Sequence, residues 1–270
     1  MLKLRIVTAC ILGCMLIAGL FLLNADWTAL GFGVVLTLGA WEWAGFGGLQ
    51  SRAARAAYAS AIALLLALGW RWTADPAHLL ALLALACAWW VAAFLWLVLA
   101  PVKHRPRLAL LCGIPVLVPA FVALGRLDRA SGDPMRGPAI VLWLVLLVIA
   151  ADIGAFFVGR SLGKHKLAPQ VSPGKTWEGA LGGLAAVALV GWGGAVYFGL
   201  ATRQCIAFGC AVGIFSVIGD LTESMFKRSA GLKDSGALLP GHGGILDRID
   251  SVTAAAPLYA LGLFGSGVIV

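Results

Sequence analysis

The chain is divided into long apolar segments separated by short polar stretches, and this pattern constrains the fold more than any other feature. A helix rises about 1.5 Å per residue, so about 20 apolar residues cross a hydrocarbon core of about 30 Å. Backbone groups in lipid must bond within their own segment, and continuous apolarity argues against barrel strands, which alternate. The segments fall at 4–23, 28–48, 54–72, 77–100, 107–125, 138–159, 177–200, 204–219 and 251–270. We predict an all-α integral membrane protein with about nine transmembrane helices.

Composition supports this class. Hydrophobic residues make up 61% of the chain and charged residues 12%, whereas soluble domains have about 45–50% and about 25%. An ordinary soluble fold and intrinsic disorder are both excluded. The apolar stretch Ile6–Leu23 is long for a signal peptide, so we predict that it is a retained helix. All six cysteines lie in apolar segments without metal-ligand spacing, and we interpret them as packing residues.

The distribution of lysine and arginine predicts the orientation. With a cytoplasmic N-terminus and nine crossings, five of the 20 basic residues lie outside, namely Arg71, Arg126, Arg129, Arg136 and Arg203. The others lie on the cytoplasmic side, which satisfies the positive-inside rule and places the C-terminus outside. The net charge of +8 therefore indicates orientation rather than nucleic-acid binding. We divide the chain into an N-terminal region of five helices, 1–137, and a catalytic region of four helices, 138–270, with cytoplasmic loops 160–176 and 220–250.

Acidic residues are scarce, and five of the 12 lie between positions 220 and 250. Asp220, Glu223 and Lys227 share one face at the end of the eighth helix, and Asp247 and Asp250 share one face at the start of the ninth. The connecting segment 229–244 contains five glycines. Carboxylates suit Mg²⁺, glycines let backbone N–H groups approach phosphates, and nearby cations can neutralise a polyphosphate. This favours phosphate chemistry with a divalent metal, although a solvated loop of mutually paired charges remains the alternative.

Other candidates lie outside this segment. Asp152 and Glu42 lie at membrane depth, where an ionisable group indicates either function or a protonated carboxyl bonded to a neighbouring helix. The basic loop 160–176 can bind either a substrate phosphate or anionic lipid. Its candidates are Arg160, Ser172, Lys175 and Thr176.

The segment from Ser224-Met225-Phe226-Lys227-Arg228 through Lys233-Asp234-Ser235-Gly236 to Asp247-Arg248-Ile249-Asp250 resembles the signature of phosphatidate cytidylyltransferases, the CDP-diacylglycerol synthases. Residues 152–179, the Gly219-Asp220 pair and Trp41-Glu42-Trp43 also resemble this family. The likeness is dense from about residue 150 onward.

The resemblance implies that CTP and phosphatidate form CDP-diacylglycerol and pyrophosphate. It implies a Mg²⁺ ion held by Asp220 and Asp247, with a K⁺ ion beside it left open. It also implies a homodimer in the bacterial cytoplasmic membrane, surrounded by membrane lipids and with its active site facing the cytoplasm. The expected catalytic residues are Asp152, Asp220, Lys227, Arg228, Lys233, Asp234, His242, Asp247, Arg248 and Asp250. The expected substrate-binding residues are Arg160, Ser172, Lys175, Thr176, Glu223, Gly241, Gly243 and Gly244.

Three alternatives stay open. A CDP-alcohol phosphotransferase would carry a D-G-x₂-A-R motif before its acidic pair, and this chain lacks that motif. A cytidylyltransferase acting on another lipid phosphate would carry the same residues. An ion-coupled transporter would suit Glu42 and Asp152, but transporters typically show paired repeats, and none is visible here.

Overall fold

The computed structural model describes residues 2–99, 105–131, 133–238 and 243–266. Within these ranges the chain forms nine helices and one two-stranded antiparallel hairpin. The helices are α1 (Leu2–Leu22), α2 (Ala25–Phe46), α3 (Arg52–Trp72), α4 (Pro76–Leu99), α5 (Pro106–Asp128), α6 (Arg136–Leu162), α7 (Trp177–Phe198), α8 (Thr202–Ser229) and α9 (Leu246–Gly265). The strands are β1 (Lys166–Ala168) and β2 (Ser172–Thr176).

Seven of the described helices, α2 to α8, are long and apolar enough to cross a membrane. Helix α1 contains a shorter apolar stretch, Val7–Leu22. Helix α9 begins with Asp247, Arg248 and Asp250 and is not among the seven. The prediction of a helical, multi-pass membrane protein is thus confirmed at this level. The nine crossings and the sides on which the termini lie stay predictions.

Two predicted segments differ from the structure. The segment 160–176 is not simply a loop, because residues 160–162 complete α6 and the hairpin follows. The chain is therefore not purely α-helical. The segment 220–250 is a loop only in its middle, since α8 continues to Ser229 and α9 begins at Leu246. The acidic pairs consequently sit on helices, as their spacing of three residues predicted.

Helix ends follow local capping chemistry. Asn24, Ser51 and Thr176 each accept a hydrogen bond from a backbone N–H in the first turn of α2, α3 and α7. Such caps satisfy donors that have no partner within the helix. Helix α7 ends at Phe198 and is capped by Gly199, whose φ of 67° lies in the left-handed region that glycine adopts without a steric penalty. These signals fix the start of α7 directly after β2.

Helix α5 lies at the centre of the bundle and is largely buried. It packs against α2, α3, α4, α6 and α9. Two polar groups at its edge are paired, since Trp43 Nε1 donates to the Ala109 carbonyl at 2.7 Å and Tyr58 Oη donates to the Leu110 carbonyl at 2.7 Å. The first and last parts of the described chain therefore share one core.

Glycines allow the closest helix contacts. A Cβ at Gly154 would lie 2.6 Å from the Gly182 carbonyl oxygen, and one at Gly183 would lie 2.6 Å from the Ala151 carbonyl oxygen. Small residues at such crossings let helix backbones approach closely in lipid. Gly219 plays the same part between α8 and α9, where an added Cβ would lie 2.6 Å from the Asp250 carbonyl oxygen. This crossing places the acidic residues of α8 beside those of α9.

Candidate active site

Lys227 joins the two acidic helix ends. Its Nζ atom lies 2.7 Å from Asp247 Oδ1 and 3.1 Å from Glu223 Oε1. All three side chains are largely withdrawn from solvent, with exposed fractions of 10% for Lys227, 10% for Asp247 and 3% for Glu223. Water screens such a pair weakly, so its attraction is stronger than that of a surface ion pair. The contact links the last turns of α8 to the first turn of α9.

The second carboxylate oxygen of Asp247 binds the loop between these helices. Oδ2 accepts hydrogen bonds from the backbone N–H groups of Ser235 at 3.0 Å and Gly244 at 2.9 Å. Gly243, directly before, has a φ of 82°, and an added Cβ there would lie 2.9 Å from the same Oδ2. Only glycine fits this approach without strain. In the structure Gly243 and Gly244 therefore shape the loop around Asp247.

Lys175 of the hairpin reaches across to α8. Its Nζ atom lies 2.6 Å from Asp220 Oδ2, and Ser224 Oγ donates to Asp220 Oδ1 at 3.3 Å. The position of Lys175 follows from its neighbour, because Thr176 pairs with Lys166 in the hairpin and also caps α7. Thr176 thus has a structural part that its sequence position did not reveal.

A cavity of about 580 Å³ opens beside this pair. Asp152, Arg160, Lys175, Thr176 and Asp220 are among its lining residues, and Phe156 and Val217 contribute apolar surface. Asp152 interacts electrostatically with Asp220, Lys175 and Arg248. The lining of the cavity therefore combines charges of both signs with apolar surface.

Carboxylates outnumber cations in this cluster. Asp250 interacts electrostatically with Asp220, and Glu223 interacts with both Asp250 and Asp247. Both carboxylate oxygens of Glu223 are buried. Oε1 lies beside Lys227 Nζ, whereas Oε2 has no hydrogen-bond partner among the described residues. Across the described ranges, no three acidic, histidine or cysteine side chains are close enough to hold an ion by themselves. Lysines instead neutralise Asp220 and Asp247 separately.

The remaining predicted site residues are spread more widely. Arg228, Lys233 and Asp234 are exposed. Asp234 lies near the loop around Asp247, because a Cβ added at Gly243 would lie 3.6 Å from Asp234 Cβ. Arg248 is exposed and interacts with Asp152, while Ser172 is half-buried in β2. Gly241 and His242 lie outside the described residues.

Glu42 of α2 contacts the same loop. Its exposed fraction is 1%. Its carboxylate accepts hydrogen bonds from Ser235 Oγ at 2.9 Å, from the Ile245 N–H at 3.1 Å and from the Leu246 N–H at 2.9 Å. The acidic residue at membrane depth, where a charge needs a partner, predicted either function or a bond to a neighbouring helix, but not which segment Glu42 would contact.

These features define a multi-pass membrane protein with a buried, ionisable site at the junction of two helices and a hairpin. The chain belongs to the cytidylyltransferase family, whose family model matches residues 3–264. The match covers both the apolar helices and the charged site.

Two curated relatives are similar over nearly their whole length. A phosphatidate cytidylyltransferase of Pseudomonas aeruginosa is 42% identical over 279 residues, covering 99% of this chain and 98% of the relative. One of Haemophilus influenzae is 39% identical over 285 residues, covering 96% and 98%. A third, of Brucella suis, is 46% identical over 155 residues, covering 54% and 53%. The expected family is thus confirmed.

Proposed function

We propose that this protein transfers CMP from CTP to phosphatidate, forming CDP-diacylglycerol and releasing pyrophosphate. The observation that carries this conclusion is the similarity to two phosphatidate cytidylyltransferases over at least 96% of the chain. The geometry agrees with it, because Lys175 pairs with Asp220 beside a cavity whose lining also includes apolar residues. An enzyme that joins a nucleotide to a lipid needs charged groups for the phosphates next to apolar surface for the acyl chains.

The reaction requires little of the protein beyond positioning and charge stabilisation. An oxygen of the phosphatidate phosphate attacks the α-phosphorus of CTP and forms the new P–O bond. The bond from the α-phosphorus to the oxygen bridging to the β-phosphorus breaks, and its electron pair leaves with pyrophosphate. Lys175 and Arg160 line the cavity, which supports the proposal that they pair with phosphate oxygens. The attacking phosphate is already an anion, so no strong general base is needed.

The donor set fits a divalent cation. The cluster holds more carboxylates than lysines, and Glu223 Oε2 is buried without a hydrogen-bond partner among the described residues, so added positive charge would stabilise it. Mg²⁺ commonly takes one or two carboxylates and leaves its other positions to water and substrate phosphates. Asp220 and Asp247 would hold it once their lysines turn toward the nucleotide. The ion would supply charge neutralisation at the CTP phosphates.

The proposal includes location and assembly. The distribution of lysine and arginine supports a site facing the cytoplasm, where CTP is present, in the cytoplasmic membrane of a bacterium. The bacterial relatives support the same membrane. A homodimer is part of the proposal through the family resemblance, and light scattering of the protein in detergent tests it.

The decisive experiment supplies purified protein with CTP, Mg²⁺ and phosphatidate in mixed micelles. We expect labelled CDP-diacylglycerol and one pyrophosphate for each lipid formed. Other lipid phosphates serve as competing acceptors, and a preference for one of them would reassign the substrate. Release of CMP from CDP-diacylglycerol and an alcohol, without CTP turnover, would overturn the proposal in favour of a phosphotransferase. Ion uptake into proteoliposomes without nucleotide turnover would overturn it in favour of a transporter.

A further inference from the structure

Glu42 is a buried acid on α2, and the described contacts of its carboxylate lie in the segment that joins α8 to α9. Oε1 accepts from the Ile245 N–H, and Oε2 accepts from Ser235 Oγ and the Leu246 N–H. The start of α9 has no side-chain cap of its own. A carboxylate from a distant helix therefore occupies the position of a cap, where the partial positive charge of the helix N-terminus favours an anion.

The loop is shaped to admit this carboxylate. A Cβ added at Gly236 would run into Glu42 Oε1, and one at Gly244 would run into Ser235 Oγ and Glu42 Oε2. Both positions need glycine because the Glu42 side chain fills the space. Phosphate binding at Gly244 stays a prediction. In the structure the Gly244 N–H donates to Asp247, and a Cβ added there would meet Ser235 and Glu42.

The same loop residues bind Asp247. Ser235 donates its hydroxyl to Glu42 and its backbone N–H to Asp247 Oδ2. Leu246 donates its N–H to Glu42 and directly precedes Asp247 in the chain. The backbone that orients the Asp247 carboxylate is thus fixed from the other side by Glu42. Apolar contacts also hold α2 against the start of α9, since Gly39, one turn before Glu42, lies against the side chains of Leu246 and Ile249.

We infer that Glu42 is a positioning residue that holds the α8–α9 loop and, through Ser235 and Leu246, sets the orientation of Asp247. This inference rests on the proposed function for its kinetic consequence. Its structural consequence, a loop fixed by an acid on α2, does not depend on the reaction. Glu42 is not among the described residues that line the cavity, so its effect on chemistry passes through the loop.

The test compares Glu42→Gln with the wild-type protein. Glutamine has nearly the same size, but its amide nitrogen cannot accept a hydrogen bond. Because both oxygens of Glu42 accept from the loop, either orientation of the amide leaves a loop donor facing an N–H group. We expect faster hydrogen–deuterium exchange at the Ile245 and Leu246 amides. We also expect kcat to fall about 10–100-fold, as when an outer partner of a metal ligand is lost, with KM for phosphatidate unchanged.

A second variant and a control separate positioning from general stability. Ser235→Ala removes one of the three bonds and leaves Glu42 with both backbone N–H donors, so it should lower kcat less. The double variant should be no slower than Glu42→Gln alone, because both act through one network. Asp128→Asn changes another buried acid, at the end of α5, and should leave kcat and loop exchange as in the wild type.

Wild-type exchange at Ile245 and Leu246 in Glu42→Gln would overturn the inference. So would independent, additive effects of the two substitutions on kcat. If Glu42→Gln does not fold, wild-type kcat and exchange in Ser235→Ala would overturn it, and a shift in both would support it. If the wild-type protein forms no CDP-lipid, the proposed function fails, and the exchange experiment still decides whether Glu42 holds the loop.

Discussion

Lys175 of the β-hairpin forms an ion pair with Asp220 of α8, with 2.6 Å between Nζ and Oδ2. The two residues come from segments that the sequence separates by a whole membrane-spanning helix. Each side chain is 27% exposed, at the edge of the 580 Å³ cavity. This pair therefore connects the predicted basic loop with the predicted acidic helix end.

Replacing Lys175 tests whether that connection serves the nucleotide. We expect Lys175→Met to raise KM for CTP and lower kcat/KM about 10–100-fold, because one charge-assisted contact of about 1.5–3 kcal/mol is lost. Steady-state kinetics with varied CTP measure this. Lys166→Met is the matched control, since Lys166 lies on the neighbouring strand and is exposed. Equal kinetics in the two variants would contradict a role for Lys175 in binding CTP.

Lys227 is expected to matter for stability as well as activity. Lys227→Met leaves Glu223 and Asp247 as uncompensated, largely buried carboxylates, a change that typically costs about 3–5 kcal/mol. The free energy of unfolding, measured by denaturant titration in detergent, should fall accordingly. Adding Glu223→Gln should restore part of the loss, because one excess charge is removed. A single variant as stable as the wild type would contradict the buried ion pair.

Asp247 and the divalent ion give a linked prediction. Asp247→Asn should lower kcat about 10²–10³-fold, the usual cost of removing one group that organises transition-state charge. Chelation with EDTA should abolish activity in the wild-type protein, and added Mg²⁺ should restore it. Replacing K⁺ with Na⁺ in the same assay tests for a second ion. Asp133→Asn, an exposed acid at the start of α6, should behave as the wild type. Full activity of Asp247→Asn would refute the metal assignment.

The α6–α7 crossing predicts a steric effect. Gly183→Val should destabilise the protein by about 1–3 kcal/mol, because the added side chain has no room against the Ala151 carbonyl. Thermal unfolding in detergent measures this. Gly31→Ala is the control, since an added Cβ at Gly31 meets nothing within 4 Å. A tolerated valine at position 183 would show that the two helices are less closely packed.

The sequence predicted those parts of the structure that depend on local periodicity. Apolar segments gave the helices, and the spacing of Asp220, Glu223 and Lys227 placed them on one face of α8. Contacts between residues far apart in the sequence could not be predicted in this way. The link between Glu42 and Leu246 joins residues 204 positions apart, and no periodic pattern encodes such a pairing.

The hairpin was missed for a different reason. Strand β1 has three residues and β2 contains proline, glycine and lysine, which are depleted in strands. Its formation depends on the helices at either end: Glu178 in the first turn of α7 accepts hydrogen bonds from the N–H groups of Lys164 and His165. Tertiary context thus overrides weak local preference.

The anchoring of the α8–α9 loop by an acid on α2 has a consequence for dividing the molecule. A polypeptide beginning at residue 138 would contain every aspartate and lysine assigned to the reaction. It would lack the Glu42 carboxylate, which holds the α8–α9 loop. Two halves produced separately would therefore have to reassociate before turnover, and the early helices are an integral part of the enzyme rather than a membrane tether.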